Sequence, residues 1–475
     1  MDNKHERLPY NFNNSIIQHD TLFKVNNAFY ILGHSNICDS SGQIIFSCDG
    51  GDVFNNNGDL LFNGDKLIPN DYYIDNSGLT TVPQTSIFLP MDSGKYYLIT
   101  PSVSDAYYNT VWANKPALNW NFDVLYYHVI DKYANAGAGA VVQKKVPLLQ
   151  NTPMKKSQMM ACRHGNGKDW WLLKMAGDSN KVFVFLFSQN AVTRFPDQYI
   201  PFPFRGTNDL HGQMVFNVDG SKWATTGFWI NDTTYATSSD VYVADFDRCY
   251  GKLSNFQVNY VPPFGTDTAI ALNRGLAFSP SSRFLYVSKY STIQQLDLQD
   301  GSWWDVHGVD SPAFFCGYTN LQLAPVGKIY IGRLDGICKA MSVINNPDVE
   351  YGGCNFCVNC LRSESVNGYF SSPPNMANYE LGAITCYPEA ISEVEKNRLF
   401  KLYPLPPNGK IYIELKINNL EFRIKNLQVL NLQGQVLLQE KNKNEVDLSI
   451  LSSGVYFLQL TNERMEKLVY KVIKE

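Results

Sequence analysis

Short runs of hydrophobic residues alternate with turn-forming residues along most of the chain. In Leu321–Asp348, the segment LQLAP leads into a tight turn at Gly327-Lys328. A strand is predicted to follow over Ile329–Gly332 and a second one over Lys339–Ile344, because apolar residues recur with a period of about two. We compare the rest of the chain with this hairpin unit.

Similar units recur upstream, each with a small or charged turn followed by a strand that carries aromatic residues. They are GKDWWLLK (167–174), FNVDGSKWA (216–224) and FSPSSRFLYVS (278–288), which correspond to LAPVGKIYIG (323–332) in the first hairpin unit. Most are followed by a further predicted strand, which we expect at an outer edge. These edge strands are Val182–Phe187, Asp240–Phe246, Ile293–Leu298 and Ala340–Ile344.

The distance between successive turns predicts a β-propeller over residues 21–380. It varies from roughly 45 to 73 residues, which fits blades of about 40–50 residues with loop insertions. Roughly 360 residues at about 50 per blade give about seven blades. A stack of β-sandwiches also uses short strands and is the alternative, but the repeat has the length of a blade.

The two ends of the chain depart from this pattern. Residues 1–20 are polar and predicted to form an irregular lead-in, and residues 381–401 are predicted to form an exposed, cleavable linker. From Leu402 the Pro-rich segment LYPLPPNGKIYIEL introduces several short strands with a hairpin turn at Gln433-Gly434. Residues 402–475 are therefore predicted to form a small β-sandwich, which makes the whole protein all-β.

Composition and charge narrow the function. The chain is 44% hydrophobic and 18% charged, as in a globular protein, and its net charge of −4 gives no indication of a nucleic-acid partner. We find no apolar run long enough for a transmembrane segment. The first residues, MDNKHERLPYNFNNS, lack the apolar core of a signal peptide. We therefore expect either that the protein stays inside or that a leader precedes this sequence.

One group of cysteines has the spacing of metal ligands. Cys354, Cys357 and Cys360 follow one another with two residues between each pair. A structural zinc site needs four ligands, and the fourth could be Cys316, Cys338 or Cys386. Disulfides or free thiols are favoured over zinc or an iron–sulfur site in a secreted protein, and we predict no cofactor.

Other motifs indicate structure more than chemistry. Asn217–Trp223 (NVDGSKW) resembles the Asp-box turn of sialidase propellers, which predicts a hairpin and gives no catalytic carboxylate pair. In the pair Trp170-Trp171 we expect one ring in the core, because strand neighbours point to opposite faces. A rim position of the other ring would allow carbohydrate stacking, but core packing is favoured. The chain contains neither HExxH nor GxSxG, so a non-enzymatic function is favoured.

The tail resembles the C-terminal sorting domain of type IX secretion substrates of the Bacteroidetes. The matching stretches are LYPLPPNGKI, IKNLQVLNLQGQVLLQ, DLSILSSGVYFLQL and KLVYKVIKE. Family members usually begin with Tyr-Pro-Asn-Pro, whereas this chain has Leu405 in place of the Asn. The resemblance implies export and contact with the type IX machinery. The residues that carry it are Tyr403, Pro404, Pro406, Gly434, Gly454 and Tyr456.

Residues 21–380 resemble the WD40-like or YncE-like propeller ectodomains found beside such tails. Matching stretches are SGQIIFSCDGGDVFNNNGDLLFNG, FSPSSRFLYVS and LQLAPVGKIYIG. The resemblance implies a secreted or cell-surface protein, with a binding or adhesion module for an extracellular glycan or protein as the first hypothesis. The alternative is a hydrolase or lyase of extracellular polymers on the same scaffold. A structural component of the envelope is a third hypothesis.

Overall fold

The structure is a computed structural model whose chain divides into two compact units, Met1–Thr385 and Cys386–Glu475. The predicted lead-in, most of the predicted linker, Pro404 and Pro406 lie outside the described residues. The structure describes residues 32–75, 82–112, 121–177, 179–202, 212–230, 237–262, 275–289, 291–308, 317–333, 340–362, 372–386, 400–403, 409–415, 424–431, 434–462 and 467–474.

The described part of the first unit contains six antiparallel sheets whose strands follow one another in chain order. The first sheet contains β1 (Ser35–Cys38), β2 (Ile44–Cys48) and β3 (Val53–Asn55). The second contains β4 (Ile87–Pro90), β5 (Lys95–Ser102), β6 (Val124–Asp131) and β7 (Ala140–Leu149). The third contains β8 (Met154–Arg163), β9 (Trp170–Ala176), β10 (Lys181–Phe187), β11 (Val192–Arg194) and β12 (Gln198–Tyr199). Short α-helices, α1 (Asn70–Asp75) and α2 (Asp105–Thr110), contact each other beside them.

The next three sheets have four strands each. They are formed by β13 (Met214–Phe216), β14 (Lys222–Ile230), β15 (Thr237–Asp247) and β16 (Lys252–Tyr260); β17 (Gly275–Phe278), β18 (Phe284–Ser288), β19 (Thr292–Asp297) and β20 (Trp303–Gly308); and β21 (Tyr318–Leu323), β22 (Ile329–Arg333), β23 (Ala340–Ile344) and β24 (Phe356–Arg362). Short 3₁₀ turns cover Asp92–Gly94, Asn135–Gly137 and Tyr351–Cys354.

These sheets are the blades of a β-propeller, which confirms the predicted fold class. The first strand of each sheet contacts the first strand of the next, in the order β1, β4, β8, β13, β17 and β21. The described residues form six blades, whereas the sequence predicted about seven. The expected number of blades assumed about 50 residues per blade, whereas the six described blades have longer connections between their strands.

The strands expected at the outer edge are in fact the third strands of their blades. β10, β15, β19 and β23 each have a further strand on their outer side, which is β11, β16, β20 or β24. The outer strands were not recognised because several are exposed and carry little apolar periodicity. β16, for example, is KLSNFQVNY and is largely exposed.

Burial in the inner strands is continuous and does not alternate. All seven residues of β9 are buried, including both Trp170 and Trp171. Each blade packs between two neighbours, so both faces of its inner strands are covered. The Trp171 indole N–H donates to the Arg248 carbonyl at 2.8 Å, and that of Trp170 donates to the Pro90 carbonyl at 3.0 Å. Both rings therefore lie in the core, which is the packing that was favoured over a rim position.

The repeated turns of the sequence form the hairpins between first and second strands. In Asn217–Trp223 the Asn217 N–H donates to the Lys222 carbonyl at 3.1 Å, and Trp223 is fully buried. The hairpins of four successive blades place a left-handed residue at the same point of the turn. These residues are Gly167 (φ 72°), Gly220 (φ 73°), Ser282 (φ 63°) and Gly327 (φ 76°). The repeat seen in the sequence is thus a repeat of turn geometry.

Two buried glutamines connect blades that are not neighbours. Gln213, beside β13 of the fourth blade, accepts hydrogen bonds from the N–H of Leu276 (2.9 Å) and of Leu321 (3.1 Å) and donates to the Leu321 carbonyl (2.8 Å). Gln84, beside β4 of the second blade, makes the same kind of contact with Met214 at 2.9 and 2.8 Å. These two side chains fasten the second, fourth and sixth blades to one another near the ring axis.

Residues 372–385, which we call the strap, close the ring. The Asn375 N–H donates to the His34 carbonyl in the first blade, and its side-chain amide donates to the Ser86 carbonyl at 2.9 Å. Further along, the Tyr379 hydroxyl donates to the Phe88 carbonyl at 2.9 Å. Residues 381–385, predicted as the start of the linker, belong to this strap: the Arg248 guanidinium donates to the Gly382 carbonyl at 2.7 Å.

The second unit is a small two-sheet β-sandwich in its described residues. One sheet has the order β25-β26-β29 and the other β28-β27-β30-β31. Its core contains Ile411, Leu427, Leu458 and Val472, and burial alternates along β30 as expected for a sheet with one covered face. The strands are β25 (Phe400–Tyr403), β26 (Lys410–Leu415), β27 (Ile424–Leu430), β28 (Val436–Lys441), β29 (Glu445–Asp447), β30 (Gly454–Asn462) and β31 (Lys467–Lys474).

Replacing Gln213 should destabilise the propeller. Gln213→Leu leaves two buried N–H groups and one buried carbonyl without this partner, which should lower the free energy of unfolding by about 2–4 kcal/mol. Urea unfolding followed by tryptophan fluorescence measures this change in the propeller alone, because all 8 tryptophans precede residue 385. Gln322→Leu is the matched control, since Gln322 donates only to the adjacent Leu323 carbonyl. Equal stability of the two variants would contradict the bracing role.

Stability of the propeller should fall in mild acid because of His128. Its Nε2 lies 2.9 Å from the Thr100 hydroxyl, and its Nδ1 accepts a hydrogen bond from the Lys145 N–H at 3.0 Å. Burial, and to a smaller extent the positive charge of Lys145, lowers the pKa of His128 from 6.5 to about 3. The unfolded chain gains a proton below about pH 6.5 while the folded ring does not. This contribution is therefore complete above pH 6.5 and is lost as the pH falls toward 3, by about 2 kcal/mol at pH 5.

His128→Asn keeps an acceptor for the Lys145 N–H and removes the titrating group. The difference in unfolding free energy between pH 7 and pH 5 should therefore shrink in this variant. His164→Asn, in a hairpin turn, serves as the control. An unchanged pH dependence in His128→Asn would show that other groups dominate the acid sensitivity.

Candidate functional site

A cavity of about 590 Å³ lies where the first strands of the blades converge. Its walls are the ends of β1, β8, β13, β17 and β21 that lead into the hairpin turns, together with strap residues 376–381. The strap residues lie against the second blade, whose Phe88 carbonyl accepts from Tyr379, so they form the wall on that side. The site is thus built by the ring and the strap together.

The cavity wall is mainly apolar. Five of the six described blades line the cavity, because their first strands enter the crowded centre of the ring, where the hairpin turns converge. The apolar lining residues include Met160, Ala161, Val215, Phe216, Val218, Leu276, Ala277, Phe278, Leu321, Leu323, Ala324, Met376, Ala377 and Leu381. Such a surface favours an apolar ligand body, since its burial removes hydrocarbon from water on both sides.

A few polar groups interrupt this wall. The Asn36 side-chain oxygen is buried and accepts no hydrogen bond from any residue that the structure describes. Asn217 and Asn378, in contrast, are held by the protein: Asn217 donates to the Ser282 hydroxyl at 3.0 Å and Asn378 to the Val218 carbonyl at 2.7 Å. Asn36 thus differs from these two amides in having an unsatisfied side-chain oxygen within the wall.

Charge at the cavity is acidic and lies at its mouth. Asp39 and Glu380 are exposed, and the lining residues, all of them described, include no Lys, Arg or His. The Asp39 carboxylate accepts from the Ser41 hydroxyl at 2.6 Å and from two N–H groups of its own turn, and these bonds lower its pKa. The mouth therefore stays negative at neutral pH.

The two cavity thiols are poor nucleophiles. Burial, helped by Asp39, raises the pKa of Cys38 to about 11, and burial raises that of Cys162 to about 12. Both therefore remain protonated at neutral pH, where a nucleophilic cysteine would need to be a thiolate. Their surroundings are those of packed wall residues.

The structure does not bring the three cysteines of the predicted metal cluster together. Cys354 is fully buried between the fifth and sixth blades, where its thiol is hydrogen-bonded with the Tyr286 side chain. Cys357 and Cys360 lie on β24 and are more exposed. The described residues include no group of three or more His, Cys, Asp or Glu arranged to hold a metal. The preference for disulfides or free thiols over a metal at these three cysteines stays a prediction, while Cys249 and Cys386 are disulfide-bonded.

The sorting-motif residues fall at distinct points of the second unit. Tyr403 is exposed and its ring stacks on Tyr412 with centroids 5.7 Å apart. Gly434 lies in the β27–β28 hairpin with φ 78°, which explains a glycine there. Gly454 begins β30, and Tyr456 is buried with its hydroxyl donating to the Ser452 carbonyl at 2.7 Å. Of these, Gly434 and Tyr456 have clear structural roles.

The last strand of the tail is anchored by a lysine that the sequence analysis did not single out. Lys474 at the end of β31 donates to the carbonyls of Leu448 (2.9 Å), Ser449 (3.1 Å) and Leu451. β31 also pairs with β30 along its whole length and contributes Tyr470 and Val472 to the core. A basic residue near the chain end was the available signal, and its role is to hold the terminal strand.

Comparison with known proteins identifies the tail. Residues 401–475 match the family model described as the secretion system C-terminal sorting domain. This match confirms the resemblance to type IX secretion substrates and makes the protein a secreted or outer-surface protein. No curated protein matches the chain. Within the described residues, no helix is long and apolar enough to cross a membrane.

Several solved structures resemble the chain at low identity. The extracellular domain of a hybrid two component system from B. thetaiotaomicron is 10% identical, with a TM-score of 0.32, over 94% of this chain and 55% of that one. The extracellular domain of a one component system from the same organism is 12% identical, with a TM-score of 0.28, over 95% and 60%. The chain thus spans little more than half the length of these relatives.

A third solved structure is matched over nearly its full length. It is described as a 6-phosphogluconolactonase from Bacteroides fragilis and is 14% identical, with a TM-score of 0.34, over 73% of this chain and 96% of that one.

Removing β31 should abolish export while leaving the propeller intact. Deletion of Lys467–Glu475 exposes the edge of β30 and removes Tyr470, Val472 and the Lys474 anchor from the tail. We expect the truncated protein to accumulate in the periplasm, as measured by cell fractionation, with the tryptophan-reported unfolding of the propeller unchanged. Lys471→Ala, on an exposed position of the same strand, is the control. Normal surface delivery of the truncated protein would contradict the role of this strand.

Proposed function

We propose that the protein is an exported binding protein whose axial cavity takes a small ligand, with the tail directing its secretion. The observation that carries the proposal is the cavity of about 590 Å³, apolar along its wall and bearing one buried, unsatisfied amide oxygen. Ligand sites in proteins typically have volumes of about 300–1,000 Å³ and combine apolar walls with a few oriented polar groups.

The chemistry of the wall defines the ligand class. An apolar body fits the aliphatic side chains, and the Asn36 side chain in the wall offers an amide to a hydrogen-bonding group on that body. The acidic mouth formed by Asp39 and Glu380 favours a neutral or cationic ligand over an anionic one. A small metabolite or the end of a peptide meets these requirements better than an extended glycan chain, which needs a long polar groove.

Binding is better supported than hydrolysis. Asp39 and Glu380 are the two carboxylates among the described lining residues, and Asp39 is engaged by its own turn. Glycoside hydrolysis requires two carboxylates on either side of the scissile bond, one of them with a raised pKa. The pKa of Asp39 is lowered, which is opposite to what a general acid requires.

Three indoles that share one apolar body test the proposed ligand class. We expect tryptamine and tryptophol to bind the full-length protein, and indole-3-acetate to bind at least about fivefold more weakly, since a carboxylate near the acidic mouth costs about 1 kcal/mol. Ligand-observed NMR titration gives the three dissociation constants.

Two variants locate the binding. Val218→Trp should narrow the mouth and weaken binding, whereas Val349→Trp, at an exposed position away from the cavity, should not. Asn36→Leu should weaken tryptophol binding about fivefold by removing the acceptor. Absence of binding by all three indoles would overturn the proposed small-ligand cavity. Tightest binding of indole-3-acetate would overturn the assigned ligand class.

A further inference from the structure

A second chemical site lies on β24, far along the sixth blade from its first strand β21. β24 pairs with β23 on one side, and no other described strand pairs with its outer edge. Cys357 and Cys360 both lie on this edge strand, Cys357 partly exposed and Cys360 exposed. Two accessible thiols on an edge strand of an exported protein would be open to oxidation.

A bulge in β24 places the two cysteines together. In a regular strand, residues three apart point to opposite faces of the sheet. Here the pairing with β23 slips between Val343↔Cys357 and Met341↔Leu361. Asn359 lies within the slip with φ 53°, a left-handed conformation that Asn tolerates better than most residues. This residue turns the strand between the two cysteines.

The two thiols are in contact as a result. The Cys360 thiol donates to the Cys357 carbonyl with a sulfur–oxygen distance of 3.3 Å. The two side chains also hydrogen-bond to each other. Cys354, the third cysteine of the motif, is buried in the packing between the fifth and sixth blades and bonds with Tyr286. The fold therefore selects one pair of cysteines from the three.

We propose that Cys357 and Cys360 form a disulfide in the exported protein, while Cys354 remains a thiol. The oxidant is a disulfide of the thiol–disulfide oxidoreductase or glutathione class. The thiolate of one cysteine attacks it, forming a mixed disulfide and releasing one thiol. The second cysteine then attacks the mixed disulfide, forming the Cys357–Cys360 bond and releasing the second thiol. Two protein thiols are oxidised, and one oxidant disulfide is reduced to two thiols.

The disulfide has a structural consequence for the blade. It closes a short loop across the bulge and thereby fixes the twist that turns the edge of β24 away from a flat pairing geometry. It also removes an exposed thiol that could otherwise join two molecules. The proposal is independent of the axial cavity, which neither cysteine lines.

Mass spectrometry of the full-length protein tests the proposal. The protein is incubated with glutathione disulfide or with a reductant, alkylated under denaturing conditions and digested. We expect Cys357 and Cys360 to be alkylated in the reduced sample but not in the oxidised one, and the oxidised sample to yield a peptide containing an internal Cys357–Cys360 bond. A Cys354–Cys357 bond, a glutathione adduct that persists on Cys360, or full alkylation of both cysteines after oxidation would each overturn it.

Substitutions at Asn359 test the geometric cause. Asn359→Gly keeps access to the left-handed conformation, whereas Asn359→Val disfavours it strongly. We expect the rate of disulfide formation to be similar to the wild type in Asn359→Gly and at least about tenfold slower in Asn359→Val. Equal rates in the two variants would show that the bulge does not bring the thiols together. The wild-type experiment decides the disulfide itself, even if one variant folds poorly.

Discussion

The hydrogen bonds of two buried glutamines near the ring axis hold the propeller together. Gln84 and Gln213 each bond the main chain of a blade two positions further along the ring. Backbone groups at the crowded centre have little access to water, so each needs a partner within the protein. An amide side chain supplies both a donor and an acceptor, which matches the paired N–H and carbonyl of a strand. The closeness of the blades, and hence the shape of the cavity, depends on these contacts.

Much of the fold could be predicted from the sequence because its signals are local. The hairpin turns at Gly167, Gly220 and Gly327 require a left-handed residue, and the strands after them carry aromatic residues that pack between blades. The tail was recognisable from its motifs. The outer strands and the blade number were less accessible, since an exposed strand such as β16 has weak periodicity and long connections hide the repeat length. Their positions are fixed by pairing with neighbours.

The candidate site could not be predicted because its residues are ordinary ones made special by position. Asn36, Met160 and Leu276 lie on different blades and share no motif. The one conspicuous motif, the cysteine triplet, is divided by the fold: Cys354 faces the interior and the other two lie on β24. Spacing along the chain could not reveal this, because the contact between Cys357 and Cys360 depends on the left-handed conformation of Asn359 between them. The strap was likewise hidden, since polar residues such as Asn375 and Asn378 resemble those of a loop.

The position of the strap near the end of the first unit determines when the cavity can be completed during synthesis and folding. Its contacts span almost the whole ring in sequence, as Asn375 bonds to Ser86 across 289 positions and Tyr379 to Phe88 across 291. Residues 376–381 also form a wall of the cavity, so no shorter nascent chain can possess the completed site. Long-range closure of this kind is slow compared with the formation of each hairpin. A chain emerging from the ribosome would therefore lack the finished cavity until its last blade and strap had been synthesised, shortly before the sorting domain itself.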